Sequence, residues 1–176
     1  TFGNGTAGKL TFKVDNLALR DDSQIITATL ASGNGGDLTI SAEESVENSG
    51  ESGLFSSAIT GSSGNAGNLN ITTSQLNVVE GATLISETFG SGNAGNITLK
   101  VDNLAVRDGS QISTGTFVGG NGGDLNVIAA DSVELFGSNN NDNNQRSGLF
   151  SSAERDSTGD AGDLNIESKQ INIRDR

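Results

Sequence analysis

Gly8–Ile25 reads GKLTFKVDNLALRDDSQI, and Gly95–Ile112 reads GNITLKVDNLAVRDGSQI. The two stretches lie 87 residues apart, and each follows shortly after a Thr-Phe-Gly triplet, at Thr1–Gly3 and Thr88–Gly90. The second half of the chain is a worn copy of the first, so residues 1–87 and 88–174 form a superrepeat. Copying at a fixed period is the mark of architectures built by stacking like units, and it governs how every shorter motif is read.

The period is finer than the superrepeat. A glycine phrase recurs as GTAGKLTF, GNGGDLTI, GNAGNLNI, GNAGNITL, GNGGDLNV and GDAGDLNI, with its last glycine at 8, 36, 67, 95, 123 and 162. The steps between these glycines are 28, 31, 28, 28 and 39 residues. Three units fill the superrepeat, and the long last step carries a polar, Asn-rich insert at Ser138–Ser147. With nothing to bury, that insert is expected to be a loop leaving the body of the fold.

Within each unit apolar residues alternate, as in Leu10, Phe12, Val14 and in Ile97, Leu99, Val101. Period two puts them on one face of a strand, with Thr, Asn or Lys on the other. A second short strand follows at Leu17–Leu19, Leu76–Val78, Leu104–Val106, Val133–Leu135 and Ile171–Ile173. A third carries Ile25, Leu84 or Ile112 and ends near Leu30, Phe89 or Phe117. Asp-Asn, Asp-Gly and Ser-Gly pairs punctuate them. No segment sustains an apolar period of 3.6, so helix is not expected.

One such unit cannot bury its own apolar face; stacked about 4.8 Å from a like unit, it can. Equivalent residues then form columns along an axis. Leu10, Leu38, Leu69, Ile97, Leu125 and Leu164 make one, and Phe12, Ile40, Ile71, Leu99, Val127 and Ile166 make another. The expected fold is all-β: a single parallel β-helix (β-solenoid) segment over 1–176, of about six coils with the last truncated, three short strands per coil, and a length of about 25–30 Å. Asn34, Asn65, Asn93 and Asn121 align as well, and stacked amides are expected to bond along the axis.

Composition agrees. The chain has 25 Gly in 176 residues and lacks Pro, Cys, Met, His, Trp and Tyr. Absent Pro suits unbroken ladders. A hydrophobic content of 32% and a net charge of −12 would also suit disorder; the registered alternation argues against it. Absent Cys excludes a disulfide scaffold and thiolate chemistry. No apolar run reaches the length of a membrane span, so membrane insertion is not expected. The acidic balance, 22 against 10, speaks against nucleic acid as a partner. The chain starts and stops within a repeat, and we expect it to belong to a longer exoprotein.

The glycine phrase, the NLAVRDGSQIS phrase from Asn103, and SGLFSSA at Ser52–Ala58 and again at Ser147–Ala153 resemble the repeats of filamentous-haemagglutinin-like exoproteins. The likeness is greatest to the two-partner-secretion passengers of cyanobacteria. The resemblance implies a right-handed β-helix secreted to the cell surface through an outer-membrane barrel partner. It also implies service in adhesion, aggregation or toxin display.

Candidate chemistry is sparse. The phrase GNGGD lacks the Lys-Ser/Thr of a phosphate loop and leads into a strand, so a tight corner needing positive φ and close coil-to-coil approach is expected instead. Asp37, Asp124 and Asp163 share a column and are the candidate calcium ligands; adventitious Ca2+ is the only cofactor considered, and no other metal or cofactor is expected. Polysaccharide-active enzymes also use β-helices, but catalysis there needs carboxylates at a working spacing. The adjacent acid pairs, Asp21–Asp22 and Glu43–Glu44, face opposite ways along a strand, and no His is present. No enzyme activity is expected. The candidate surface residues are Leu54, Phe55, Leu149 and Phe150 in the SGLFSSA phrases, with Asn140, Asn141, Asp142, Asn143 and Arg146 in the insert. Leu and Phe of each pair are expected to anchor the base of the loop on the core; if instead one Phe of each pair is exposed, the two would form a sticky strip.

Three functions fit. The first is a non-catalytic stalk that mediates adhesion or aggregation by meeting a glycan or protein receptor. The second is a filament or matrix built by end-to-end self-association through open strand edges. The third, the enzyme, is the least supported.

Overall fold

The computed structural model describes residues 3–139 and 145–174. Along the chain run β1 (Leu10–Leu19), β2 (Gln24–Thr29), β3 (Leu38–Ser49), β4 (Gly53–Ala58), β5 (Leu69–Val79), β6 (Thr83–Thr88), β7 (Ile97–Arg107), β8 (Gln111–Thr116), β9 (Leu125–Phe136), β10 (Gly148–Ala153) and β11 (Leu164–Arg174). No helix occurs among the described residues. Odd strands form one sheet in the order β1-β3-β5-β7-β9-β11, and even strands form a second in the order β10-β8-β6-β4-β2. Every pairing between named strands is parallel. The chain is a parallel β-solenoid in which each coil gives one strand to each sheet, the last coil giving only β11.

The first two expected segments of each coil run on as one long strand. Register shifts mark a bend in it where β3 and β9 each carry one extra residue, opposite Val14–Asn16 of β1 and Val101–Asn103 of β7. A bulge lets the backbone change direction without breaking its ladder. Each coil therefore still has three extended sides, two of them joined through the bend.

Both expected core columns form in full register. Leu10 pairs with Leu38, Leu38 with Leu69, Leu69 with Ile97, Ile97 with Leu125, and Leu125 with Leu164. The Phe12 column matches in the same way through Ile40, Ile71, Leu99, Val127 and Ile166. Past the bend, Leu19, Asn48, Val78, Val106, Leu135 and Ile173 align. Asn48 is the polar member of that aliphatic column and is fully buried. Its amide donates to the Thr83 carbonyl at 3.0 Å and its side-chain oxygen accepts from Ser52 Oγ at 2.5 Å, so the burial leaves no bond unmade.

The glycine phrase closes each coil from the second sheet back to the first, and two glycine columns run through it. A Cβ on Gly36, Gly67, Gly95, Gly123 or Gly162 would lie 1.9–2.3 Å from the carbonyl oxygen of the glycine one coil below. The Gly33–Gly64–Gly92–Gly120–Gly159 column is equally tight. Close approach alone therefore requires glycine here. The expected positive φ is corrected: no glycine of the phrase has it, and the left-handed residues lie mostly at the opposite corner, where the chain enters the second sheet, as at Asp21, Asp22, Glu51, Glu80 with Gly81, and Asp108 with Gly109, with Gly61 the exception on the return side.

Inward hydroxyls of the second sheet answer the carbonyls of these glycines. Ser56, Ser86 and Ser151 donate to Gly67, Gly95 and Gly162 at 2.5, 2.7 and 2.6 Å. Thr88 donates to Gly92 at 2.7 Å, and Thr29 to Gly33. These bonds account for the hydroxyls at Thr29, Ser56, Ser86, Thr88 and Ser151, whereas Thr114 and Thr116 in the same columns are buried without a hydrogen-bond partner.

Candidate functional site: an apolar strip outside the second sheet

Outward positions of the second sheet fall into four columns along the axis, the first being Gln24, Gly53, Thr83, Gln111 and Gly148. Two are apolar: Ile26, Phe55, Ile85 and Phe150, interrupted by Ser113, and then Leu30, Ile59, Phe89 and Phe117, ending in Glu154. Between them runs a column of small residues, Ala28, Ser57, Gly115 and Ser152, with Glu87 at its middle. Ile26 is 54% exposed, Phe150 41%, Leu30 40% and Ile59 39%. Phe89 and Phe117 stack on each other with centroids 4.3 Å apart. Four of the seven Phe thus sit outside this sheet, while the core is aliphatic. The outward columns of the first sheet carry chiefly Thr, Asn, Gln, Ser and charged residues.

The SGLFSSA phrase now has a local reason. A Cβ on Gly53 would lie 2.1 Å from the Phe55 ring, and one on Gly148 would lie 2.5 Å from the Phe150 ring. Each ring folds back over the glycine two residues earlier, as an aromatic covering bare backbone does. Leu54 and Leu149, named among the surface candidates, pack on the core instead: they are 0% and 8% exposed and complete the Ile25–Leu54–Leu84–Ile112–Leu149 core column. Period two makes this unavoidable once Phe faces out.

The insert meets the body at its base. Ser138 and Arg146 form an antiparallel bridge, Asn139 N–H donates to Gln145 O at 2.8 Å, and Gln111 Nε2 donates to Arg146 O at 3.2 Å. Asn139 lies over Gly109, where any Cβ would sit 2.4 Å from its own. The base of the loop therefore lies against the corner rather than leaving the body there, and Arg146 stands exposed at the rim of the strip. Asn140, Asn141, Asp142 and Asn143 fall outside the described residues.

The calcium candidates lie in a hydrogen-bonded ladder. Asp37 Oδ1 accepts the Asn68 N–H at 3.0 Å, Asn68 accepts that of Asn96 at 2.9 Å, Asn96 that of Asp124 at 2.8 Å, and Asp124 that of Asp163 at 2.9 Å. Lys9 adds an ion pair to Asp37 at 3.1 Å. The Asn68 N–H, with help from Lys9, holds the Asp37 carboxyl below its ordinary range. Among the described residues no group of three carboxylates gathers as a metal would require.

A parallel ladder runs through Asn34, Asn65, Asn93 and Asn121 to Asp160, each Asn side-chain oxygen taking the N–H one coil on at 2.8–3.1 Å. The bonding is side-chain oxygen to backbone rather than amide to amide, so Asp serves as well as Asn.

Glu87 is the unusual titratable group on the strip. Burial pushes its carboxyl up, the nearby Glu154 adds to the rise, and only Ser113 Oγ, donating at 2.5 Å, opposes it. Some carboxylates elsewhere have cations: Arg20 forks onto Glu47 at 2.9 and 3.0 Å, and Arg107 and Arg174 both reach Glu134. A second concavity, of about 700 Å³, follows the outer side of the bend in the first sheet and is lined by polar groups, Ser41, Glu43, Thr72, Ser74, Lys100 and Asp102 among them. Ala42, Val101 and the exposed Ile128 line it as well, so it mixes hydrogen-bonding groups with apolar surface.

These features define the class: a β-solenoid whose coils are clamped by side-chain ladders and whose second sheet shows an apolar outer face. No family model, curated protein or solved structure matches the chain.

Proposed function

We propose that this chain is a non-catalytic extracellular stalk of a secreted adhesin-like protein, mediating surface adhesion or aggregation. The observation that most supports this reading is the continuity of the ladders. Backbone pairing and corner Asx side chains direct their bonds along the axis, coil to coil, while interior hydroxyls brace each coil within itself, Ser86 onto Gly95 and Thr88 onto Gly92. Such a body is stiff and suited to holding surfaces away from a cell. The acid pairs that an enzyme would draw on are spent on the scaffold: Asp21 and Asp22 build a left-handed corner, and Glu44 accepts from Asn16 Nδ2 at 2.8 Å.

Export through an outer-membrane barrel partner, and a cell-surface or matrix receptor of glycan or protein, follow from the resemblance of the repeats. The test has two arms. Beads carrying the chain should attach to cell or matrix surfaces above beads carrying an unrelated acidic protein; equal attachment contradicts the adhesive role. Incubation with plant and algal polysaccharides should release no reducing ends or unsaturated products; their appearance contradicts the non-catalytic one.

A further inference from the structure

We propose that the outer face of the second sheet is a docking trough for a basic, apolar segment of another polypeptide. This deepens the adhesive reading by naming the surface and the chemistry of its partner. It can fail while the stalk reading stands.

The shape follows from the register. Two columns of large apolar side chains flank a column of small ones, about 6.6 Å to either side at two residues of strand rise. The walls are thus about 13 Å apart, and over five coils the trough runs about 19 Å. The floor is Ala28, Ser57, Glu87, Gly115 and Ser152. Among the described residues, three of the four large hydrophobic residues exposed outside the first and last coils belong to this face or border it, Ile59, Val118 and Phe150, and Ile26 and Leu30 continue the walls on the first coil. An apolar strip of this kind, with a polar surround, marks an interaction surface.

Charge selects the occupant. No lysine or arginine lies in any of the four columns, whereas Glu87 sits in the floor and Glu154 ends one wall. Arg146 and Arg155 stand at the rim. Glu87 has Ser113 as its hydrogen-bond donor and a second carboxylate nearby, a half-buried charge without a cation. A second copy would bring another Glu87 and another net charge of −12 against the first. A segment with leucine-like side chains over the walls and Arg or Lys over the floor meets both needs, because a charge pair in a desolvated site confers register and specificity.

The probe is a labelled short peptide of leucine and arginine, with a leucine–glutamate counterpart, titrated by fluorescence anisotropy against the whole chain. The Leu/Arg peptide should bind, and the Leu/Glu peptide should not. Glu87→Gln should weaken binding about tenfold, as should Phe150→Thr with Ile59→Thr, in chains whose circular dichroism is unchanged. Glu80→Gln, at a corner outside the trough, should leave binding unchanged and so controls for general attraction to an acidic protein. Equal loss from Glu80→Gln and Glu87→Gln, or no loss from the wall substitutions, would overturn the proposal. So would sedimentation showing the chain self-associating through a face that Phe150→Thr disrupts.

Discussion

Gly123 lies directly over the carbonyl oxygen of Gly95, so that a methyl group on Gly123 would sit 2.0 Å from that oxygen. The same contact recurs along both glycine columns, and it sets how closely coils approach at that corner. Gly123→Ala should therefore destabilise by about 3 kcal/mol or more, the upper range for overpacking. Gly119→Ala, where the nearest atom is 3.7 Å away, should cost under about 1 kcal/mol. Urea denaturation of the two variants compares them directly.

The Asx ladder makes a chemical prediction. Asn93 takes the Asn121 N–H on its side-chain oxygen at 2.9 Å, and its own N–H goes to Asn65 at 2.8 Å. Asn93→Ala should cost about 1 kcal/mol, the net worth of one such bond. Asn93→Asp keeps the acceptor and should cost less. An equal loss in both variants, read from urea midpoints, would show that the amide NH2 rather than the oxygen carries the ladder.

Leu69 is fully buried, with Leu38 on one side and Ile97 on the other. Leu69→Ala should destabilise by about 2–5 kcal/mol, and Leu69→Asp by more, since it strands a charge among aliphatic side chains. Because every coil rests on its neighbours, the loss should appear as a lower single transition in circular dichroism rather than as melting of one coil.

Two sets of carboxylates respond to pH with opposite sign. Asp37, Glu47 and Glu134 are held low by the Asn68 N–H, by Arg20, and by Arg107 with Arg174. Their folded values lie below the unfolded ones of about 3.9–4.3. Their contribution is present above that range and is lost as the pH falls through the folded values. Glu87 is raised, so its ionised form costs stability at neutral pH, and the cost is relieved as the pH falls through its folded value toward about 4.3. Glu87→Gln should raise the urea midpoint near neutral pH, and the gain should vanish in acid. The same substitution is expected to weaken peptide docking, which would separate the needs of the fold from those of the trough.

Column membership was readable from spacing alone, because period two and a fixed coil length leave one register that buries Leu10, Leu38 and Leu69 together. Three things were less legible. The second segment of the second coil was hidden, since Asn48 replaces an aliphatic residue and Glu43–Glu44 fall at the bend. Leu54 and Leu149 looked like surface candidates beside Phe55 and Phe150; both residue types are apolar, and only parity with Ile25 and Ile112 tells them apart. The trough was half visible: a strip was expected if the Phe residues faced out. Its second wall crosses the ends of the even strands, where the spacing groups Leu30, Phe89 and Phe117 but not Ile59, and where the side that each presents depends on the parity of the strand before it. The glycine phrases gave their place but not their cause, because close approach and positive φ select the same residue.

The register between coils is most directly tested by disulfide trapping, since the chain has no cysteine of its own. Asn70 and Thr98 are partners across β5 and β7 on the outer surface, about 4.8 Å apart as neighbouring strands are and within reach of a disulfide. Asn70→Cys with Thr98→Cys should cross-link readily under mild oxidation, while Asn70→Cys with Lys100→Cys, two residues out of step, should not. Efficient trapping of the second pair in preference to the first would contradict the parallel stacking on which the account rests.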